Sequence, residues 1–276
     1  MPDRDELIDI FDDTLFLCEE SEALSRAIQN SIDGQKVYWA EDEVDYVNRA
    51  DGPEAELKLT DATTVAAAGR YPGMKVCALN FASSVNPGGG VLKGSRAQEE
   101  CICRATTLYP ALTEDDRALY VYTRHRELIE LGAFDRANTD DMIYTPGVVA
   151  IKEDTGCYKP LPEDGRFSFD VISSAAPDLR HGGSGAIYPD ENELRSLFEK
   201  RIDRIFRIAA LSGSEVLILG AFGCGAFGNS PKLVADVFKN AASRFIHDFK
   251  VIDFAIPYSA KHVPSNYEVF KSVLGL

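Results

Sequence analysis

Lys75-Val76-Cys77-Ala78-Leu79-Asn80-Phe81 is a nearly unbroken apolar run that leads straight towards Asn86-Pro87-Gly88-Gly89-Gly90. A short run of this kind, bounded by turn residues, reads as a buried strand. Three successive glycines carry no Cβ, so their backbone can adopt φ > 0 and lie directly against a ligand. After seven intervening residues comes Gln98-Glu99-Glu100, opening a helical pattern over 97–108 that Pro110 is expected to interrupt. Strand, glycine turn and helix in that order belong to a layered α/β fold. Two adjacent acids at the helix start suggest a ligand gripped by backbone and protonated or attacked by a carboxyl group.

The same alternation runs over 54–276. Ala55-Glu56-Leu57-Lys58-Leu59 alternates like a strand, and 61–68 reads as a helix stopped by Gly69. Short strands are expected at 142–144 and 148–151 around Pro146-Gly147, and another at 168–174. Over 191–210, Leu194, Leu197, Phe198, Ile202, Ile205, Phe206 and Ala209 form one apolar stripe, with Asp190 placed to cap the helix and Gly213 beyond its end. A strand at 215–219, a helix at 231–245, a strand at 251–256 and a helix at 264–274 complete one α/β sandwich. Ahead of it, Leu7, Ile8, Phe11, Leu15, Leu17, Leu24, Ala27 and Ile28 recur at helical spacing over 5–31, which makes 1–53 an acidic, mainly helical extension packed on the domain 54–276.

Charge narrows the function. Of the 15 net negative charges, 12 fall in residues 1–60, where 17 acids face 5 basic residues. Such a chain should not track a long phosphate backbone, so no general DNA or RNA binding is expected. A small phosphorylated ligand held by backbone amides remains compatible with it. No apolar run approaches the ~20 residues of a membrane span, and the acidic start is unlike a basic signal or transit segment. The six cysteines are scattered without a CxxC pair, pointing to reduced thiols, a cytoplasmic location and no zinc. His125, His181, His247 and His262 lack metal-ligand spacing and read as surface residues, while Cys101 and Cys103 read as buried structural thiols. No metal and no cofactor is expected. Residues 180–185 read as a flexible loop, or one that closes over a ligand.

A second glycine loop, residues 220–229, lies between a predicted strand and helix. Its amides, with the helix N-terminus beyond, suit a phosphate or diphosphate. Gly223 to Gly228 also satisfies GxGxxG, but too few residues follow for a doubly wound dinucleotide fold, and Asp253 falls inside a strand. Glu99 and Glu100 are neighbours about 100° apart on a helix, so they should not share a face. This differs from the opposed carboxylates of an ordinary glycosidase: one acid should touch the bond and the other the ligand. The helix N-terminus is expected to lower both pKa values.

With both loops in view, the chain resembles the microbial-type poly(ADP-ribose) glycohydrolases, a branch of the macrodomain fold. The similarity runs from about Lys58 to Pro257: Leu79-Asn80-Phe81-Ala82-Ser83 before Asn86-Pro87-Gly88-Gly89-Gly90, the GGG-x7-QEE spacing, Met142-Ile143-Tyr144-Thr145-Pro146, Ile172-Ser173-Ser174-Ala175-Ala176-Pro177 and Gly223-Cys224-Gly225-Ala226-Phe227. The combination of glycine triplet, QEE and GCG-x-F loop is specific. The resemblance implies a macrodomain-like three-layer α/β/α sandwich with a central mixed β-sheet, and hydrolysis of ribose–ribose bonds in poly(ADP-ribose) or ADP-ribosylated macromolecules, releasing ADP-ribose. By that likeness Glu100 is the catalytic acid, Glu99 orients the ribose, Gln98 and Asn86 bear on it, and Gly88, Gly89 and Gly90 approach backbone-first. Gly223, Cys224, Gly225 and Ala226 would cradle the diphosphate, with Phe227 against the distal ribose. In this family N-terminal helices can enforce cleavage at chain ends. Gly228 stands where microbial members often carry a basic residue. Removal of single ADP-ribose units, or binding of ADP-ribose without turnover, are the rival readings; the intact acid pair favours turnover.

Overall fold

The computed structural model describes residues 2–132, 137–180, 189–260 and 263–276. Helices Arg4–Glu20 (α1) and Glu22–Gly34 (α2) come first, then strands Lys36–Tyr38 (β1) and Glu56–Thr60 (β2), helix Thr64–Ala68 (α3) and strand Val76–Phe81 (β3). Helices Gln98–Ala105 (α4), Leu108–Thr113 (α5) and Asp116–Glu130 (α6) precede strands Met142–Ala150 (β4) and Phe167–Ser174 (β5). Helix Glu191–Leu211 (α7), strand Val216–Leu219 (β6), helix Pro231–Arg244 (α8), strand Val251–Ala255 (β7) and helix Asn266–Leu274 (α9) end the chain.

Several expected elements are resolved differently. The helical region 5–31 is two helices, because Ser21 is extended (φ −98°, ψ 107°) and its hydroxyl accepts from Leu24 N to start α2. The segment before 54 is not helix alone, since β1 joins the sheet. Pro110 does not interrupt a helix. The break comes at extended Thr106 (φ −142°, ψ 173°), and Pro110 falls in the first turn of α5, where an amide has no intrahelical partner to lose. The two strands around Pro146-Gly147 are one, β4, with its register shifted between Thr145 and Val148. Helix α6 has no sequence forecast.

The seven strands form one mixed sheet in the order β1-β4-β5-β3-β6-β7-β2. β5, β3, β6, β7 and β2 are mutually parallel, while β4 runs antiparallel to both its neighbours, β5 and the edge strand β1. Alternating strand residues serve opposite cores: Cys77, Leu79, Leu217 and Leu219 pack with α7, α8 and α9, whereas Val76, Ala78, Val216 and Ile218 pack with α1, α3, α4, α5 and α6. The result is three layers. Because the parallel strands all end on the same rim, the loops after β3, β5, β6 and β7 gather there, the usual position for ligands on α/β sheets. No helix among the described residues is long and apolar enough to cross a membrane.

α7 is tied to that rim by a fully buried arginine. Arg201 donates from Nε to Asp140 Oδ1 at 2.9 Å and from Nη1 to Ala175 O at 2.7 Å. Removing one partner of a buried pair strands the other. Arg201→Leu is therefore expected to lower stability by about 3–5 kcal/mol, read as a shift in the urea midpoint; an unchanged midpoint would contradict this.

Candidate active site

α4 begins directly beneath the loop that leaves β3, and each residue of Gln98-Glu99-Glu100 is bonded to that strand or loop. Gln98 completes the frayed end of β3: its Oε1 accepts from Phe81 N at 2.8 Å, and its Nε2 donates to Leu79 O at 2.7 Å and Thr64 Oγ1 at 3.0 Å. Glu99 Oε2 accepts from Ser83 N at 2.7 Å, and Oε1 accepts from Asn80 Nδ2 at 3.4 Å. Glu100 Oε1 accepts from Gly90 N at 2.8 Å, while its Oε2 is buried and has no hydrogen-bond partner among the described residues. Asn86 opens the glycine turn, its carbonyl accepting from Gly89 N at 3.0 Å.

The two acids do not diverge as their helical positions suggest. A Cβ on Gly89 would lie 2.6 Å from Glu100 Oε1 and 2.8 Å from Glu99 Oε2. Both carboxylates therefore bend to one point, under a residue at φ +59° that has no side chain. Gly88, at φ +68°, is confined on its other side by the Tyr109 ring. Charge behaves differently from expectation too. Burial raises the Glu99 pKa most, Ser83 N opposes it, and the charge of Glu100 adds to the rise, bringing it to about 8. The helix N-terminus does not hold Glu99 low, because desolvation of a fully buried carboxylate outweighs it.

The second loop joins β6 to α8. Gly223, at φ +72°, packs so closely that a Cβ would lie 2.5 Å from the Ala176 Cβ and 2.7 Å from Asn229 Nδ2. Asn229 holds the loop closed by donating to Pro177 O at 2.7 Å and Gly223 O at 3.0 Å. Gly225 has open space where its Cβ would be. Burial pushes the Cys224 thiol up to about 12, so it is neutral. Gly223, Gly225, Ala226 and Phe227 line a cavity of about 460 Å3 together with Gln98 and Phe81, extending past Asp154 and Asn266. Cys224, Asn86, the three glycines, Glu99 and Glu100 stand outside that lining; Gln98 joins the acid pair to the cavity. Gly228 follows Phe227 directly, and the Arg180 guanidinium, from the loop after β5, lies 5.0 Å from the centre of the Phe227 ring.

Other sequence expectations are revised. His125 is not a surface residue but buried at 3 % exposure. His247 is half-buried, and His181, His262 and residues 181–185 lie outside the described residues. Cys103 is buried as expected, whereas Cys101 is half-buried and lines the cavity. No group of three or more His, Cys, Asp or Glu is placed to hold a metal ion among the described residues.

No curated protein matches the chain. The family model described as "Microbial-type PARG, catalytic domain" matches residues 5–153. The chain belongs to the microbial-type poly(ADP-ribose) glycohydrolases. It is thus a glycosidase, and its mixed three-layer fold agrees with solved relatives. Poly(ADP-ribose) glycohydrolase from Thermomonospora curvata matches with a TM-score of 0.85 and 28% identity, over 98% of this chain and 100% of that one. The same enzyme bound to the inhibitor ADP-HPD matches at 0.82 and 28%, over 98% and 99%. The Deinococcus radiodurans enzyme in complex with ADP-ribose matches at 0.78 and 28%, over 90% and 96%.

The raised pKa of Glu99 gives this glycohydrolase a pH-dependent stability. An acid whose folded pKa is raised binds its proton more tightly in the folded state. Its contribution is full below the ordinary carboxylate range and is lost as pH rises towards about 8. Glu99→Gln, which cannot ionise, is expected to gain on the wild type across that window, reaching on the order of 5 kcal/mol above it. Urea unfolding from pH 5 to 9 checks this; a difference that stays constant with pH would refute it.

Proposed function

We propose that this glycohydrolase breaks the ribose–ribose O-glycosidic bond of poly(ADP-ribose), with Glu100 as the acid and Glu99 as the carboxyl that holds the ribose. The observation that carries the assignment is the Glu100 carboxyl itself: one oxygen is fixed by Gly90 N, and the other is buried without a partner. A buried oxygen of this kind calls for a partner, and in this reading the partner is a substrate oxygen. Glu99 is instead committed to Ser83 N and Asn80, a firm mount for contacts to ribose hydroxyls. Gln98, Asn86 and the backbone of Gly88, Gly89 and Gly90 close around the same sugar.

The remainder of the ADP-ribose unit takes the cavity. Its diphosphate lies along the loop from Gly223 through Cys224, Gly225 and Ala226, at the approach to the N-terminus of α8, and its distal ribose rests against Phe227. Arg180, ion-paired with Asp178, packs beside that ring.

In the reaction Glu100 gives its proton to the leaving 2′-oxygen as the bond from the anomeric carbon to that oxygen breaks and the ribose gains oxocarbenium character. The Glu100 carboxylate then takes a proton from water, whose oxygen bonds to the anomeric carbon. The proton is restored to Glu100 and ADP-ribose is the product. Burial, reinforced by the nearby charge of Glu100, keeps a proton on Glu99 and so on the acid pair at neutral pH. Orientation by the two glycine loops lowers the barrier further.

Cleavage is proposed at chain ends. α1 packs against the segment that follows the glycine triplet, so closely that a Cβ on Gly94 would strike the Arg4 carbonyl, and this limits room for polymer on that side. The proposed domain organisation places 1–53 as an accessory layer on 54–276. A cytoplasmic location is proposed as well, supported by the six free cysteines. Incubation with purified polymer and with mono-ADP-ribosylated protein tests the function: ADP-ribose should be released from the polymer, and the protein-linked unit should remain. Release from the protein alone would favour a mono-ADP-ribosyl hydrolase.

A further inference from the structure

We propose that His125 is a positioning residue of this active site, acting as a doubly protonated clamp on the loop that holds the two acids. The inference rests on the placement of Glu99 and Glu100 at the reacting bond. His125 lies on α6, away from both glycine loops in sequence. Its Nδ1 is 2.7 Å from Ser84 O, and its Nε2 is 2.7 Å from Asp141 Oδ2. A carbonyl oxygen can only accept, and an ionised carboxylate can only accept. Satisfying both therefore requires a proton on each ring nitrogen.

Asp141 is ionised: burial pushes its pKa up, but His125, Thr139 and Ala40 N outweigh burial and hold it below the usual carboxylate range. Thr139 Oγ1 donates to Asp141 Oδ2 at 2.8 Å, which leaves that hydroxyl no proton to give the ring. Arg124, on α6 itself, stands 3.9 Å from Asp141 Oδ2 and 3.8 Å from Glu41 Oε1. The loop facing the ring, residues 82–90, contains no charged residue.

The carbonyl that His125 grips belongs to the residue after Ser83, whose amide holds Glu99. Arg126 adds a second anchor by donating to Val85 O at 2.7 Å. The loop then turns through Gly88 and Gly89 to Gly90 N, which holds Glu100. α6 thus fixes the start of the segment from which both acids hang. A ring with a single proton would leave one of its two contacts an opposition of lone pairs.

The test combines ring spectroscopy with kinetics of the full chain. 15N-histidine NMR of the wild type should show both His125 nitrogens protonated at neutral pH. His125→Asn, whose single amide nitrogen can reach only one of the two partners, should lower kcat by roughly tenfold to a hundredfold with KM changed little, since the cavity is untouched. Asp141→Asn is the decisive variant. Its amide would donate to a neutral Nε2 while Nδ1–H still donates to Ser84 O, so NMR should show one ring proton in place of two. A singly protonated ring at neutral pH, wild-type kcat in His125→Asn, or a ring still carrying two protons in Asp141→Asn would each overturn the clamp. The ring's protonation is measured without substrate. A doubly protonated ring alongside an active Glu100→Gln variant would therefore refute the assignment of Glu100 and leave the clamp standing.

Discussion

Glu100→Gln is expected to reduce ADP-ribose release from the polymer by roughly a thousandfold, within the range for loss of a general acid, while ADP-ribose affinity stays within about threefold of wild type. The glutamine can keep the acceptor position of Oε1, so Gly90 N at 2.8 Å remains satisfied and the loop stays in place. What it lacks is a proton acidic enough for the leaving oxygen. Chromatography of the products and titration calorimetry with ADP-ribose read the two quantities separately. Full release by this variant would remove Glu100 from the mechanism; equal losses in release and affinity would make it a binding residue instead.

Gly89→Ala should be nearly as damaging and by a different route. The residue sits at φ +59°, where a side chain costs roughly 1–2 kcal/mol. The new methyl would also lie 2.6 Å and 2.8 Å from the oxygens of Glu100 and Glu99. Both carboxylates must swing away, and displacement of reacting groups by about 1 Å can cost a hundredfold in rate. A loss of about that size is expected, together with a lower urea midpoint. Gly225→Ala separates a general glycine effect from this one, because its Cβ would meet nothing within 4 Å and should leave the midpoint unchanged. A Gly89→Ala enzyme with wild-type rate would show that the acids do not converge there.

The α/β alternation was legible because buried strands such as 76–81 carry apolar residues on both faces, and α7 carries a single stripe beneath an Asp190 cap. The triplet, the acid pair and the second loop were visible as local strings. The approach of the two acids was not, because helical periodicity fixes where side chains leave the backbone and not where a neighbouring loop draws their tips. Two elements escaped for lack of pattern. β1 is a three-residue edge strand whose place depends on pairing with β4. α6 buries only Ala118, Val121, Tyr122 and His125 amid charged residues. Missing α6 also left His125 on the surface, since only its packing against the Ser83-Ser84 turn reveals the burial. Arg180 over Phe227 was equally unreadable, joining loops after different strands.

The central claim is that water attacks an anomeric carbon as the ribose–ribose bond breaks. Brief digestion of polymer in H2 18O, followed at once by mass spectrometry, measures it directly. Intact ADP-ribose carrying one heavy oxygen on its terminal ribose is predicted, formed by wild type and absent with Glu100→Gln. Heavy oxygen on phosphate, with AMP-type fragments in place of ADP-ribose, would contradict it.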